Sequence, residues 1–158
     1  MRELDSDLDA EFIYRLLNSN KFVRYIGDRG VRNVEQAADF IETRYRQSYR
    51  DHGFGLYAVE RKASSLQIGI CGFVRREKLP YPDIGFAFLS QFEKQGYGFE
   101  SAMAMMEYGR ADLGMTRILA ITTIDNKASE RLLKKIGFRF DQLIERDDET
   151  LKLYSSEP

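Results

Sequence analysis

The stretch from Asp83 to Leu113 constrains the fold more than any other. Asp83-Ile84-Gly85-Phe86-Ala87-Phe88-Leu89 is strand-like and apolar on both faces, so other elements must cover it on both sides. Phe99 to about Leu113 is helix-like. Between them lies Gln95-Gly96-Tyr97-Gly98. Two glycines at a strand-to-helix junction close turns, and they also let the backbone present bare amides. The first amides of a helix lack an internal acceptor and sit at the positive end of its dipole. Such a junction suits a phosphate or pyrophosphate. A dinucleotide fingerprint would need a third glycine at position 101, where Ser101 stands, and would open a βαβ series instead of following a hairpin.

The flanking pattern predicts two helices before this unit and a strand, a helix and two strands after it. Leu8, Phe12, Ile13, Leu16 and Leu17 recur at helical spacing, with Asp5, Ser6 and Asp7 as capping oxygens. Asn18 to Asn33 reads as loop. Val34 to about Tyr49 reads as a helix whose inner face is Val34, Ala37, Ala38, Ile41, Tyr45 and Tyr49. Phe54 to Lys62 and Gln67 to Arg76 alternate as a hairpin around Ala63-Ser64-Ser65. Leu79-Pro80-Tyr81-Pro82 is loop. Arg117 to Thr123 is a second buried strand, and a short helix follows with Ala128, Leu132, Leu133 and Ile136 inside. Phe138 to Glu145 and Thr150 to Tyr154 form a closing hairpin around Asp147-Asp148. The first three strands are antiparallel, and the helix after Leu89 makes a crossover to a parallel neighbour. The expected fold class is α/β: a mixed, mostly antiparallel sheet with one splayed parallel pair and helices on both faces.

The 158 residues suit a single domain, 1–158. A formal net charge of −1 argues against nucleic acid as a main partner. No apolar run approaches the ~20 residues of a membrane span, and Met1-Arg2-Glu3-Leu4-Asp5 is unlike a secretory signal. Cys71 is the only cysteine, so a reducing, cytoplasmic setting is expected.

A second junction, Thr122-Thr123-Ile124-Asp125-Asn126-Lys127-Ala128-Ser129, also runs a strand into a helix start. By itself it reads as N-capping by Asp125 or Asn126. Both junctions belong at the C-terminal ends of neighbouring parallel strands, the edge where open α/β sheets place ligands. There, two helix N-termini facing one crevice would hold something elongated and anionic.

These residues together resemble the GNAT N-acetyltransferases. The resemblance rests on Asp83-Ile-Gly-Phe-Ala-Phe-Leu89, Gln95-Gly-Tyr-Gly98 and Asn126-x-x-Ser129-x-x-Leu132-Leu133-x-x-x-Gly137-Phe138, and also on His52-Gly53-Phe54-Gly55-Leu56-Tyr57 and Ile68-Gly69-Ile70-Cys71-Gly72-Phe73. The most similar branch acetylates the N-termini of ribosomal proteins. The resemblance implies acetyl-CoA as cofactor, held by a pyrophosphate loop at Lys94, Gln95, Gly96, Tyr97, Gly98 and Phe99. Phe88 and Leu89 would hold the pantetheine arm where strands splay, and Asn126 and Ser129 would lie beside it. It implies transfer of the acetyl group to a primary amine, a peptide N-terminus or a small molecule, by direct attack in a ternary complex. A backbone amide near Leu89 would polarise the carbonyl.

The tyrosine acid of many members is missing, because Leu132-Leu133 occupies its neighbourhood; in the ribosomal branch a serine at the position of Ser129 takes part instead. The competing reading is that Ser129 only bonds the helix start or the cofactor. Candidate bases are Glu145, near the branch's carboxylate, and Asp83, acting through water. His52 reads as a solvated turn residue and Cys71 as core. No metal is expected, and the protein would act as a monomer or homodimer. The alternative is a CoA-binding sensor or interaction module without catalysis. Glu93 keeps that alternative open, as a carboxylate at the start of the phosphate loop with Lys94 as its expected compensation; so do the missing tyrosine and a first strand shortened to Met1–Leu4.

Overall fold

The computed structural model describes residues 1–156. Six strands form one sheet in the order β1-β2-β3-β4-β6-β5. These are β1 (Leu56–Glu60), β2 (Gln67–Val74), β3 (Asp83–Phe88), β4 (Leu119–Thr123), β5 (Phe138–Arg146) and β6 (Glu149–Ser156). Every pairing is antiparallel except β3 with β4. That parallel pair is a single step wide, Asp83 opposite Leu119, with the Leu119 amide donating to the Pro82 carbonyl at 2.9 Å. The expected mixed sheet with one splayed parallel pair is therefore present.

Two cores cover the two faces. On one face α1 (Ala10–Leu17) and α3 (Val34–Phe40), with Ile41 just after it, bury Phe12, Ile13, Leu16, Ala37 and Ile41 against Ala58, Ile70 and Leu89. On the other, α5 (Tyr97–Ala111) and α6 (Lys127–Lys135) bury Met105, Met106 and Leu133 against Cys71, Phe73, Ile84 and Tyr154. Alternation along β3 sends Ala87 and Leu89 to the first core and Ile84, Phe86 and Phe88 to the second.

Several local outcomes differ from the sequence pattern. Leu8 is 70% exposed, because Asp5 Oδ1 accepts the Asp7 and Leu8 amides and α1 starts only at Ala10. The short amino terminus is docked: Arg2 and Ala58 exchange backbone hydrogen bonds, and Leu4 is fully buried. The segment read as loop contains α2 (Asn20–Tyr25), whose six residues are too few to show a periodic pattern. Phe22 anchors it in the first core.

The helix from Val34 continues to His52, with a π-helical stretch Ile41–Arg46 between α3 and α4 (Gln47–His52). Its inner residues Ala37, Ile41, Tyr45 and Tyr49 step by four. An α-helix turns through more than one revolution in four residues, while a π turn, bonded i→i+5, turns through less. Mixing the two keeps all four on one side. In the last hairpin Asp147 and Asp148 both have positive φ, 50° and 62°, as a two-residue primed turn requires.

Candidate active site

β3 and β4 touch at Asp83 and Leu119 and have no further pairing, so a gap opens between them toward their C-terminal ends. The Leu89 amide donates to the Ile68 carbonyl at 2.9 Å, on the β2 side. Successive peptide groups of a strand face opposite edges, so the amides and carbonyls of Phe86 and Phe88 face the gap. The free amide beside the cleft is thus that of Phe88, one residue before Leu89. The Leu89 side chain is 7% exposed and belongs to the α1/α3 core. The Phe88 ring lies on the α5 side, over Gly69. A Cβ on Gly69 would come 2.4 Å from that ring and 2.6 Å from the Ala87 carbonyl. The same ring approaches Gly98, which also faces Leu132 of α6.

At the open end, Leu89 leads through a short 3₁₀ turn, Ser90–Phe92, into the glycine loop. Lys94 (φ 59°) and Gly96 (φ 88°) both take the left-handed conformation. For a lysine this is an uncommon backbone state, of the kind that collects at binding loops. Glu100 is the first residue of α5 whose amide finds a helical acceptor, the Gly96 carbonyl at 3.0 Å. The amides of Tyr97, Gly98 and Phe99 precede it and have no intrahelical partner. A Cβ built on Gly96 would meet nothing within 4 Å, so the loop's outer surface is open. Gln95 turns its side chain back to the Gln91 carbonyl at 2.9 Å. Lys135 lies over the Phe99 ring, 4.3 Å from its centre. Glu93 is neutralised by an ion pair with Lys21 of α2, the role expected of Lys94.

At the second junction, Asn126 Oδ1 accepts the Ser129 amide at 3.1 Å, so the N-terminus of α6 is capped by its own chain. The capping expected of Asp125 or Asn126 is thus made by Asn126, while the α5 terminus has no side-chain cap. Ser129 is half-buried, and among the described residues no hydrogen bond uses its hydroxyl. Asp125 accepts from the Thr123 hydroxyl and from Arg24 of α2, each at 2.9 Å. These two contacts hold its carboxyl below the usual range. α2 therefore bridges both rims of the gap, through Lys21 to Glu93 and through Arg24 to Asp125.

The carboxylates proposed as bases are not brought together. Asp83 is 1% exposed at the closed end of the gap and accepts from Arg76 Nε at 2.7 Å. Burial raises its pKa, and Arg76 opposes the rise. Glu145 accepts from the Thr150 hydroxyl at 2.6 Å. It shares a hairpin face with Lys152, which reaches Glu130 of α6, so it lies on the opposite face of the sheet from Asp83. His52 stacks on Phe54, and Cys71 is buried with its thiol pushed up to about 12, chiefly by desolvation. The sequence reading missed the ties made by Lys21, Arg24 and Arg76. Lys21 and Arg24 sit on α2 and Arg76 follows β2, and only the fold brings them to the gap.

Residues 1–139 match the acetyltransferase (GNAT) domain family. The chain belongs to that family. It is therefore an acyltransferase that uses acetyl-CoA. Among relatives of this GNAT chain, an uncharacterized N-acetyltransferase of Bacillus subtilis, YoaA, is 31% identical over 135 residues, 85% of this chain and 76% of its own length. The fold of this chain is shared with RimL, a ribosomal L7/L12 α-N-protein acetyltransferase solved with coenzyme A. That comparison gives a TM-score of 0.83 at 17% identity over 99% of this chain and 92% of the other. The ribosomal-protein-S5-alanine acetyltransferase of Vibrio fischeri gives 0.81 at 15% identity, covering 99% and 91%. The residues present fit the GNAT cofactor: bare amides and an uncovered glycine suit its phosphates, and a strand edge with unpaired peptides suits its amide-bearing arm. No helix among the described residues is long and apolar enough to cross a membrane.

Proposed function

We propose that this protein acetylates a primary amine by direct attack within a ternary complex. When bound, acetyl-CoA supplies the acetyl group as a thioester, whose carbon–sulfur bond breaks as the carbon–nitrogen bond to the amine forms. The amides of Tyr97, Gly98 and Phe99, with Lys94 beside them, hold the phosphates. The peptide groups of Phe86 and Phe88 line the arm's path. The Phe88 amide is the donor aimed into the gap where negative charge develops on a carbonyl oxygen, a role that preorganised amides perform without rearranging. The Ser129 hydroxyl, unengaged at the first turn of α6, donates a hydrogen bond to the departing sulfur; the proton that the attacking nitrogen loses passes to solvent water, and the thiolate takes one up from there. Asn126 has a positioning part, since it caps the turn that carries Ser129. Buried and desolvated, Cys71 is left out of the reaction, which needs no covalent nucleophile. A free buried thiol also suits a reducing compartment such as the cytoplasm.

The observation that carries this reading is the one-step β3–β4 pair with a bare glycine loop at its open end. Calorimetric titration with acetyl-CoA, with CoA and NAD as comparisons, tests it. Micromolar binding of acetyl-CoA with no binding of NAD is expected, followed by thiol release in the presence of an accepted amine. A folded protein that binds no acetyl-CoA overturns the reading.

A further inference from the structure

The geometry points to a seat on α6 for the 3′-phosphate of the cofactor, formed by Arg131 and Lys135. That seat lets the protein tell CoA from its 3′-dephospho form. This rests on the reading that the pyrophosphate lies on the first turn of α5. The ribose of CoA joins the pyrophosphate through its 5′ oxygen and carries a third phosphate on its 3′ oxygen. With the pyrophosphate on the bare amides of Tyr97, Gly98 and Phe99, the third phosphate falls beside the same turn. A phosphate monoester carries close to two negative charges at neutral pH. What flanks the turn decides how that charge is met.

The last turns of α6 form one wall of it. A Cβ on Gly98 would stand 3.3 Å from Leu132 Cδ2, and Lys135 Nζ lies 4.3 Å from the centre of the Phe99 ring. An ammonium is thus brought to the residue whose amide completes the bare set. Arg131 precedes Lys135 by four residues, so the two side chains share one flank of the helix. Ala128 shares that flank and, being small and exposed, leaves it open.

The charges of α6 are divided between two flanks. Glu130 faces β6 and is ringed by Lys134 at 2.8 Å, Lys152 at 3.0 Å and Lys127 at 3.5 Å. Arg131 and Lys135 lie about 100° and about 140° around the helix from Glu130. Among the described residues no hydrogen bond or ion pair uses either side chain, and Lys135 has only its ring contact. Glu100 follows Gly98 by two residues, which puts it on nearly the opposite side of α5, away from α6. On the loop side, Lys21 is spent on Glu93. The α6 flank therefore offers two cations that no carboxylate holds. One is a planar fork of donors that matches phosphate oxygens, and the other is a compact point charge.

CoA and 3′-dephospho-CoA are titrated calorimetrically into wild type, Arg131→Gln, Lys135→Gln and the double variant. Both side chains are exposed, so the variants should fold, and melting curves establish it. Wild type should bind CoA about tenfold more tightly than dephospho-CoA, since an exposed charge pair is worth up to about fivefold and two act together. Each single variant should lose about threefold in affinity for CoA with dephospho-CoA unchanged, and the double variant should bind the two alike. Lys134→Gln, on the other flank of the same helix, should keep the preference whole, and a loss there as large as in Lys135→Gln would overturn the inference. Equal affinities in wild type overturn it as well, as do single variants that weaken both ligands alike or a preference that survives in the double variant. Gly96→Asp reads the pyrophosphate seat separately and should weaken both ligands alike. Tight binding of both ligands without preference sinks only the 3′-phosphate seat, whereas binding of neither by the folded wild type sinks the cofactor reading beneath it.

Discussion

Gly96→Asp separates the cost of backbone strain from the cost of charge. Gly96 has φ 88°, and a Cβ there meets nothing within 4 Å. The new side chain therefore collides with nothing, and its penalty is the left-handed conformation, about 1–2 kcal/mol for a residue with a Cβ. Set against the ~5–15 kcal/mol of a typical domain, the variant should still fold. Its carboxylate, however, would stand beside the bare amides of Tyr97, Gly98 and Phe99. Two like charges about 4 Å apart repel by ~4 kcal/mol at the effective dielectric of a protein surface. That is close to a thousandfold in affinity for a phosphate-bearing ligand. Gly96→Ala carries the same strain without the charge and should lose less than about tenfold. Paired calorimetric titrations with acetyl-CoA, with melting curves to establish folding, give the comparison. Wild-type affinity in a folded Gly96→Asp protein would refute the assignment of the phosphates to this loop. Equal losses in the two variants would show that strain, and not charge, is responsible.

Lys21→Glu places a second carboxylate beside Glu93. It should weaken acetyl-CoA binding about tenfold at low salt and less at high salt, read by titration at two ionic strengths. Ser129→Ala should lower kcat by about a hundredfold with the KM for acetyl-CoA unchanged, and an unchanged kcat would leave Ser129 with a structural part only. Asp9 is fully buried, and Arg2 Nη1 and Nη2 donate to its carboxylate at 2.7 and 2.8 Å. Desolvation raises its pKa, but the bonds from Arg2, the Asp5 amide and Gln67 outweigh it, so the folded value lies below 3.8. Its contribution is therefore present above the unfolded pKa of about 4 and is lost as pH falls through the lower folded value. Asp9→Asn should cost about 2 kcal/mol near neutrality and flatten the acid limb of a plot of Tm against pH; an acid limb as steep as wild type would contradict this.

Where the sequence was legible, one strong local signal sufficed. The strand apolar on both faces, the Gly-x-Gly turn and the following helix can be arranged in few ways, and the crossover forces a parallel neighbour. The four-residue steps of Ala37, Ile41, Tyr45 and Tyr49 carried the π-helical stretch in plain view, but they read equally well as a slightly drifting α-helix. α2 was not legible, because six residues are too short for a period and its fixing contacts lie with Glu93 and Asp125. The closed end of the gap was invisible for a similar reason. Arg76 and Asp83 share no regular spacing, and the arginine shows its partner only once the pairing of β2 with β3 brings the two together. Glu145 and Arg146 are neighbours in sequence and lie on opposite faces of the hairpin. Their faces follow from the turn at Asp147-Asp148, whereas the irregular register between Phe140 and Gln142 resets the faces of the residues before it, which no periodicity reveals.

The single β3–β4 step divides the sheet into two three-stranded jaws, β1-β2-β3 and β4-β6-β5, with their fulcrum at Asp83 and Leu119. α2 is a clasp at the far end of the lever, where one helical turn separates Lys21 from Arg24. Small changes at the fulcrum are amplified at the tips, and the clasp is made of two charge pairs that water and salt can loosen. Dissociation of the cofactor should accordingly quicken with ionic strength even at constant folded stability. The width of the jaws is set by the surroundings as well as by the chain.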